Sequence, residues 1–481
     1  MRKTKVVITI GPATESISQI TKLIEKGVDV FRLNFSHGDY EAHANNIKNI
    51  RAVSQKLDKI VAILQDISGP KVRIGKIDGE LELKRGDTIF LSKEQSSDPK
   101  ILDLSYPQII DLAEVGEEVY FADGTIRSTI EKKESDKLTL KLLNDGILTS
   151  KKGVNFPNTK LGISAITPKD EKDLEFGAEH NIDIVALSFV QSGDDIIKAK
   201  KILKKFKANP MIISKIEMSG AINKLNEILD KSDGVMVARG DLGAELGVDR
   251  VPRLQKKIIK KANERNLPVI TATQMLSSMV NAPFPTRAEV SDIANAVYDG
   301  TDAVMLSDET TIGKFPLESV DVLMNSIIEA EEEYPYYKDF KPSKKSREAI
   351  AHAAVELSHY LEKDALIAFT ASGFSAKSLA KYRPETPIYA VSFSCETLRK
   401  LKVVWGVETI KIEQGKVPSE LIYNFILDAQ KRNIIKENSR FIATMGDFTG
   451  KKGSTNLIRV LNKHSMKKIV NKYQKPAEDL I

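Results

Sequence analysis

The chain nearly lacks cysteine: Cys395 is the one thiol among 481 residues. No intramolecular disulfide can form, which suits a reducing compartment. Long apolar runs are missing too. None approaches the roughly 20 residues that span a bilayer. The opening "MRKTKVVITIGPAT" enters a strand within a few residues, leaving no room for a secretory leader. The expected location is cytoplasmic, with no membrane partner. A strong charge imbalance is also absent: 72 Lys and Arg face 66 Asp and Glu, a net charge of +6. The basic residues are interspersed with acids, which suits small anionic substrates and argues against nucleic acid. Even the densest cluster, "KAKKILKKFK" (198–207), reads as the solvated face of an amphipathic helix. There is no internal repeat of 20–50 residues beyond a strand–helix period, no Walker-type Gly-Lys-Thr loop and no nucleophile–His–Asp set.

What is present is a series of short apolar, β-branched runs, each followed by a turn and a helix-like stretch. They are "KVVITI", "VDVFRLNF", "IVAILQD", "IDIVALSF", "PMIISKIE", "DGVMVA", "LPVITAT" and "DAVMLS". Continuous runs of this length fit strands buried on both faces of a parallel sheet. Eight such units make a (β/α)8 barrel, and polar residues gather at the C-terminal end of each run, where this fold carries its chemistry. The third and fourth runs stand about a hundred residues apart, far too many for one helix. The alternating "GELELKRGDTIFL" and "EEVYFADGTIRSTIEKK" between them predict a small inserted β-barrel, a lid over the mouth. After "EEEYPYYKDFKPSKKS" a third section begins, with "ALIAFTASGFSAKSLAKYRPETPIYAVSF" as an open-sheet α/β unit. "VVWGVETIKI", "RFIATMG" and "KKIVNKY" read as its further strands. The expected domains are a catalytic barrel (1–70 and 168–341), a lid (71–167) and a C-terminal α/β domain (342–481).

In "ISKIEMSG", Lys215 and Glu217 alternate on one strand and point to one face, as a structural ion pair or as site residues. The next strand ends in Arg239-Gly240-Asp241 and runs into a helix, whose free amides suit a carboxylate or phosphate. Glu217 and Asp241 would then be neighbours, and two carboxylates at a phosphate-binding mouth suit Mg²⁺ completed by substrate oxygens. Thr273 lies near the same rim. In "FRLNFSHG", Arg32, Asn34 and Ser36 share a face, and Arg32 can grip phosphate in bidentate fashion. His37 reads as a loop hydrogen-bonder, since no second histidine has metal-ligand spacing. "QDISGPKVRIG" places Lys71 and Arg73 just beyond the strand-end Asp66.

Together "RLNFSHG", "SGPKVR", "SKKGVN", "ISKIE", "VARGDLG", "ATQMLSSM", "PTRAEVSDIANAV" and "MLSDET" resemble the pyruvate kinase family, in order and along essentially the whole chain. The resemblance implies phosphoryl transfer from phosphoenolpyruvate to ADP, giving pyruvate and ATP. It implies that Lys215 and Arg32 contact the phosphoryl group and that Glu217 and Asp241 hold Mg²⁺ or Mn²⁺. Gly240 and Asp241 amides would hold the substrate carboxylate, and Thr273 would lie on the proton-donating side. Asn34, His37, Arg73 and Lys152 are the implied nucleotide contacts. Many members bind K⁺ through positions matching Asn34, Ser36, Asp66 and Ile67 and carry glutamate where this chain has Lys71. Lysine there resembles the potassium-independent branch, its ammonium replacing the ion, so K⁺ is not expected to be required. Two other departures, Asp308 where glycine is usual and Gln191 where arginine is frequent, touch none of these roles. The resemblance also implies a homotetramer and a phosphorylated allosteric effector at Thr370, Ser372, Gly373 and Ser375, with Lys451 and Lys452 as a second wall. The competing readings are a metal-dependent pyruvate aldolase on the same barrel and a non-catalytic sugar-phosphate sensor.

Overall fold

The computed structural model describes residues 2–122, 124–159, 162, 164–341, 345–415, 417–436, 438–446 and 455–474. Eight strands close into a parallel barrel: Lys5–Thr9, Val30–Asn34, Ala62–Asp66, Ile184–Leu187, Met211–Ile216, Gly234–Ala238, Val269–Ala272 and Ala303–Leu306. They pair in chain order, and the eighth closes on the first with Lys5 opposite Ala303. Each corresponds to one of the eight apolar runs. Helices cover the outside and side chains fill the inside, so most of these strands are buried along their whole length. That double burial removes the alternation a one-sided sheet would show.

Beyond Asp66 the chain leaves the barrel for a separate curled sheet and returns at the helix Pro168–Glu179. The sheet has six strands, in the order Val154–Asn155, Glu118–Phe121, Ile126–Lys133, Lys137–Leu142, Thr88–Ser92 and Ile101–Asp103, beside a two-stranded ribbon. Alternate residues such as Ile89, Leu91, Leu138 and Leu140 fill its own core. One carboxylate ties the outgoing and returning segments together. Asp170 accepts from Gly69 N at 3.1 Å and from Thr167 N at 2.8 Å and Oγ1 at 2.7 Å.

The last unit is a five-stranded sheet in the order Val407–Lys411, Ile388–Ser392, Ala365–Phe369, Phe441–Gly446 and Thr455–Leu461. Only the last strand is antiparallel. Two expectations need correction here. "KKIVNKY" is not a strand but part of the helix Lys463–Gln474. Met466, Ile469 and Tyr473 recur at helical spacing, and Met466 and Ile469 are buried on one face. In "VVWGVETIKI" the strand is only Val407–Lys411, because Leu401–Val403 form a 3-10 turn. This unit docks on the N-terminal ends of the barrel strands. Arg383 enters the barrel foot and meets Asp302 Oδ1 at 3.0 Å and Oδ2 at 3.1 Å.

Candidate functional site

The opposite end of the barrel, under the inserted sheet, gathers the polar strand ends. Lys215, near the end of the fifth strand, lies 2.7 Å from Ser188 Oγ, 3.3 Å from Asp66 Oδ1 and 3.4 Å from Glu217 Oε2. Asp66 is fully buried, and its other oxygen accepts from Arg32 Nε at 2.8 Å. Arg32 also donates to Thr9 Oγ1 at 3.0 Å. Burial alone would lower the Lys215 pKa, but Asp66, Glu217 and Asp241 outweigh it and hold the ammonium charged. Burial likewise works against the Asp66 carboxylate, yet Lys215 and Arg32 keep it below its ordinary value. Ser188, just past the end of the fourth strand and one of the polar residues gathered at the strand ends, proves central: it bonds Lys215, Asp66 and Ile67 O.

Glu217 differs from its neighbours. One oxygen accepts from Phe189 N at 2.6 Å, while Oε2 is buried with no hydrogen-bond partner. Burial pushes its pKa up to about 7 against the pull of Lys215. A buried, under-compensated carboxylate next to a second one fits a divalent cation. Asp241 is that neighbour, close enough to raise the Glu217 pKa further. It lies in the first turn of Arg239–Leu246, and Lys71 reaches across from the lid root to its Oδ1 at 3.2 Å. Among the described residues no set of three or more His, Cys, Asp and Glu side chains could hold a metal, so substrate oxygens would have to complete this shell.

Thr273 sits on the same rim, where its Oγ1 accepts from Gly240 N at 2.8 Å. It and Gln274 have left-handed backbones, φ 70° and 54°. Arg239 holds that turn by donating to Thr273 O at 2.7 Å and Gln274 O at 3.2 Å. Across the mouth, Asn34 stands opposite Asp66 in register, and its Oδ1 accepts from Ser36 N at 3.2 Å. Ser36 and His37 are exposed in the following loop. Arg73 and Lys152 come together at the lid root, where Ile74 N bonds Lys152 O at 3.0 Å and Arg73 bridges to Gly153.

Elsewhere, Thr370 Oγ1 accepts from Gly373 N at 2.9 Å, and Ser375 Oγ lies 2.7 Å from Thr455 Oγ1. Ser372 is exposed beside them. Lys451 and Lys452 lie outside the described residues. A cleft of about 790 Å³ opens between the barrel foot and the C-terminal unit, flanked by Arg2, Asp29, Arg51, Arg399 and Lys402. It lies far from the convergent side chains above, and the strand-end chemistry decides where the candidate site is. No helix of the described residues is long and apolar enough to cross a membrane.

A closed parallel barrel beneath an inserted sheet, with a charged lysine and paired carboxylates at its strand ends, is the arrangement of a barrel enzyme that takes an anionic substrate. Two family models match in sequence: "Pyruvate kinase, barrel domain" over residues 1–320 and "Pyruvate kinase, alpha/beta domain" over residues 348–461. The pyruvate kinases of Staphylococcus aureus strains MRSA252 and USA300 are each 41% identical over 473 residues, covering 96% of this chain and 80% of the relative. The chain belongs to the pyruvate kinase family.

Proposed function

We propose that this chain moves a phosphoryl group from phosphoenolpyruvate to ADP and protonates the resulting enolate to pyruvate. The observation that carries the reading is Lys215, an ammonium kept charged at the barrel mouth among Asp66, Glu217 and Asp241. Phosphoryl transfer needs alignment and fixed positive charge around the spreading oxygens. Lys215 and Arg32 supply that charge, and Asp66 orients both through its two oxygens. Gly240 and Asp241 amides face the substrate carboxylate, for which the Thr273 hydroxyl on Gly240 N gives way. Thr273 then stands on the proton-donating side. Asn34, His37, Arg73 and Lys152 hold the nucleotide, and the lid excludes water from the transfer.

Family membership implies divalent metal dependence, and the orphaned Glu217 Oε2 supports Glu217 and Asp241 as the ligands, for Mg²⁺ or Mn²⁺. Held by those two carboxylates, the ion would supply positive charge against the negative charge that develops during the transfer. The enzyme needs no K⁺. Support comes from oxygens that are already engaged: Asn34 Oδ1 with Ser36 N, Asp66 with Arg32 and Lys215, and Ile67 O with Ser188. Lys71 adds a tethered positive charge that would repel the ion. A phosphorylated effector at Thr370, Ser372, Gly373 and Ser375, a homotetrameric assembly and a cytoplasmic location belong to the same reading.

A coupled assay from phosphoenolpyruvate and ADP tests it. Turnover is expected in sodium or tetraalkylammonium salts, and strong activation by K⁺ would overturn the potassium statement. Lys71→Glu should create a K⁺ requirement. Lys215→Met should fold normally, judged by its melting curve, yet lose nearly all turnover; unchanged turnover would refute its role.

A further inference from the structure

His43 lies on the helix Tyr40–Lys56, outside every motif assigned above, and is 8% exposed. Its Nε2 lies 3.0 Å from the backbone carbonyl of His37. A carbonyl only accepts, so Nε2 carries the proton and the ring is a donor at that atom. Nδ1 is buried with no hydrogen-bond partner. The ring stacks on Phe35, centroids 4.1 Å apart and planes 9° apart. Phe35 belongs to the same loop, and its carbonyl accepts from Ser68 Oγ at 3.0 Å and Lys169 Nζ at 2.9 Å.

The loop of residues 34–39 is therefore fastened at two levels. Phe35 is fixed to the lid hinge, whereas the tip, with His37 exposed and Gly38 at φ 75°, has its His37 carbonyl held by His43. That donor adds a longer arm to the restraints within the tip, where the Asn34 side chain accepts from Ser36 N and His37 N donates to Asn34 O at 3.1 Å. Burial pushes the imidazole pKa below its ordinary value, which keeps the ring in the neutral form with one N–H.

We infer that His43 is a positioning residue for the nucleotide: its Nε2–H holds the His37 carbonyl and so presets the loop that carries Asn34, Ser36 and His37 toward ADP. The inference rests on the nucleotide-side reading of that loop. His43→Phe keeps the stack on Phe35 but removes the donor. It is expected to raise both KM for ADP and the calorimetric Kd for ADP about tenfold, the loss of one hydrogen bond to a fixed carbonyl. The KM for phosphoenolpyruvate and kcat should stay near the parent values. His43→Gln, with an amide N–H of similar reach, should restore most of the ADP affinity. If His43→Phe melts too low to assay, His43→Asn, whose amide is drawn back from the carbonyl, is read the same way. An unchanged ADP affinity, or an equal change for both substrates, would overturn the inference. His37→Ala serves as the control. If it weakens ADP while the His43 variants do not, His43 alone is misassigned; if it too leaves ADP unaffected, the nucleotide reading of the loop fails.

Discussion

Thr273 and Gln274 are two successive non-glycine residues in a left-handed backbone, a conformation that costs of the order of 1–3 kcal/mol per residue. Arg239 offsets it. Its guanidinium donates to both carbonyls and is anchored on its far side by Asp292, at 2.5 Å. The arginine thus sets where the Thr273 hydroxyl points. Arg239→Met should relax the turn and displace that hydroxyl by a fraction of an ångström, lowering kcat roughly 10- to 100-fold. The exchange of pyruvate methyl hydrogens with solvent, followed by NMR, should slow by a similar factor, because that partial reaction needs no phosphoryl transfer. Equal exchange rates in variant and parent would separate Arg239 from Thr273. Little of this was visible in sequence. "ARGDLG" and "ATQ" each look like a strand end, and nothing in either says that the arginine of one clamps the threonine of the other.

At the scale of elements, the lid depends on how its two connecting segments meet the barrel. Pro168–Glu179 begins with a capping box between Thr167 and Asp170, and the same Asp170 carboxylate accepts from Gly69 on the outgoing segment. Gly69 is at φ 62°, and a Cβ there would lie 2.8 Å from the Phe189 ring. Gly69→Ala should therefore destabilise the hinge by about 1–3 kcal/mol, seen as a lower denaturation midpoint. Easier proteolysis within the inserted sheet would accompany it. The barrel strands were legible because double burial writes them as unbroken apolar runs, and the lid strands because one-sided burial writes them as alternation. Thr455–Leu461 escaped notice for a physical reason. It is an edge strand with mostly half-exposed side chains, so neither pattern develops. "KKIVNKY" misled because its adjacent Ile469 and Val470 look β-branched, while the stripe that buries Met466 and Ile469 spans a longer window than the run itself. Asp170 was silent because its meaning lies in a contact with Gly69, 101 residues away, and His43 because nothing in a helix's first turn says which loop carbonyl its ring will meet.

At the scale of the molecule, the barrel and the C-terminal unit share one polar and apolar junction. Asp302 accepts from Val269 N and Arg383 through one oxygen and from Trp405 N and Arg383 through the other. Arg383 is fully buried, and Arg383→Met would strand the Asp302 charge at a cost of about 3–5 kcal/mol, measurable in denaturant. A second polar group at this junction is pH-sensitive. Burial works against the Asp29 carboxylate, but Lys402, Arg2 and Lys5 overcome it and hold its pKa well below the ordinary range. A depressed folded-state pKa contributes stability that is fully present above about pH 4, the unfolded value, and is lost as the pH falls toward the folded one. The melting-temperature gap between the parent and Asp29→Asn should hold from neutrality to pH 5 and narrow steadily below pH 4. A gap independent of pH would disprove the assignment.

The chain contains one tryptophan, and it lies in this junction. Trp405 is 1% exposed, with the Arg383 guanidinium 4.9 Å above its ring and Tyr334 beside it at 5.8 Å. Its emission is therefore an intrinsic optical gauge of the seam between the catalytic and C-terminal units, with no competing indole elsewhere. Any ligand that loosens or tightens the seam should shift that emission without a label, so the two ends of the molecule can be followed separately, turnover at one and fluorescence at the other.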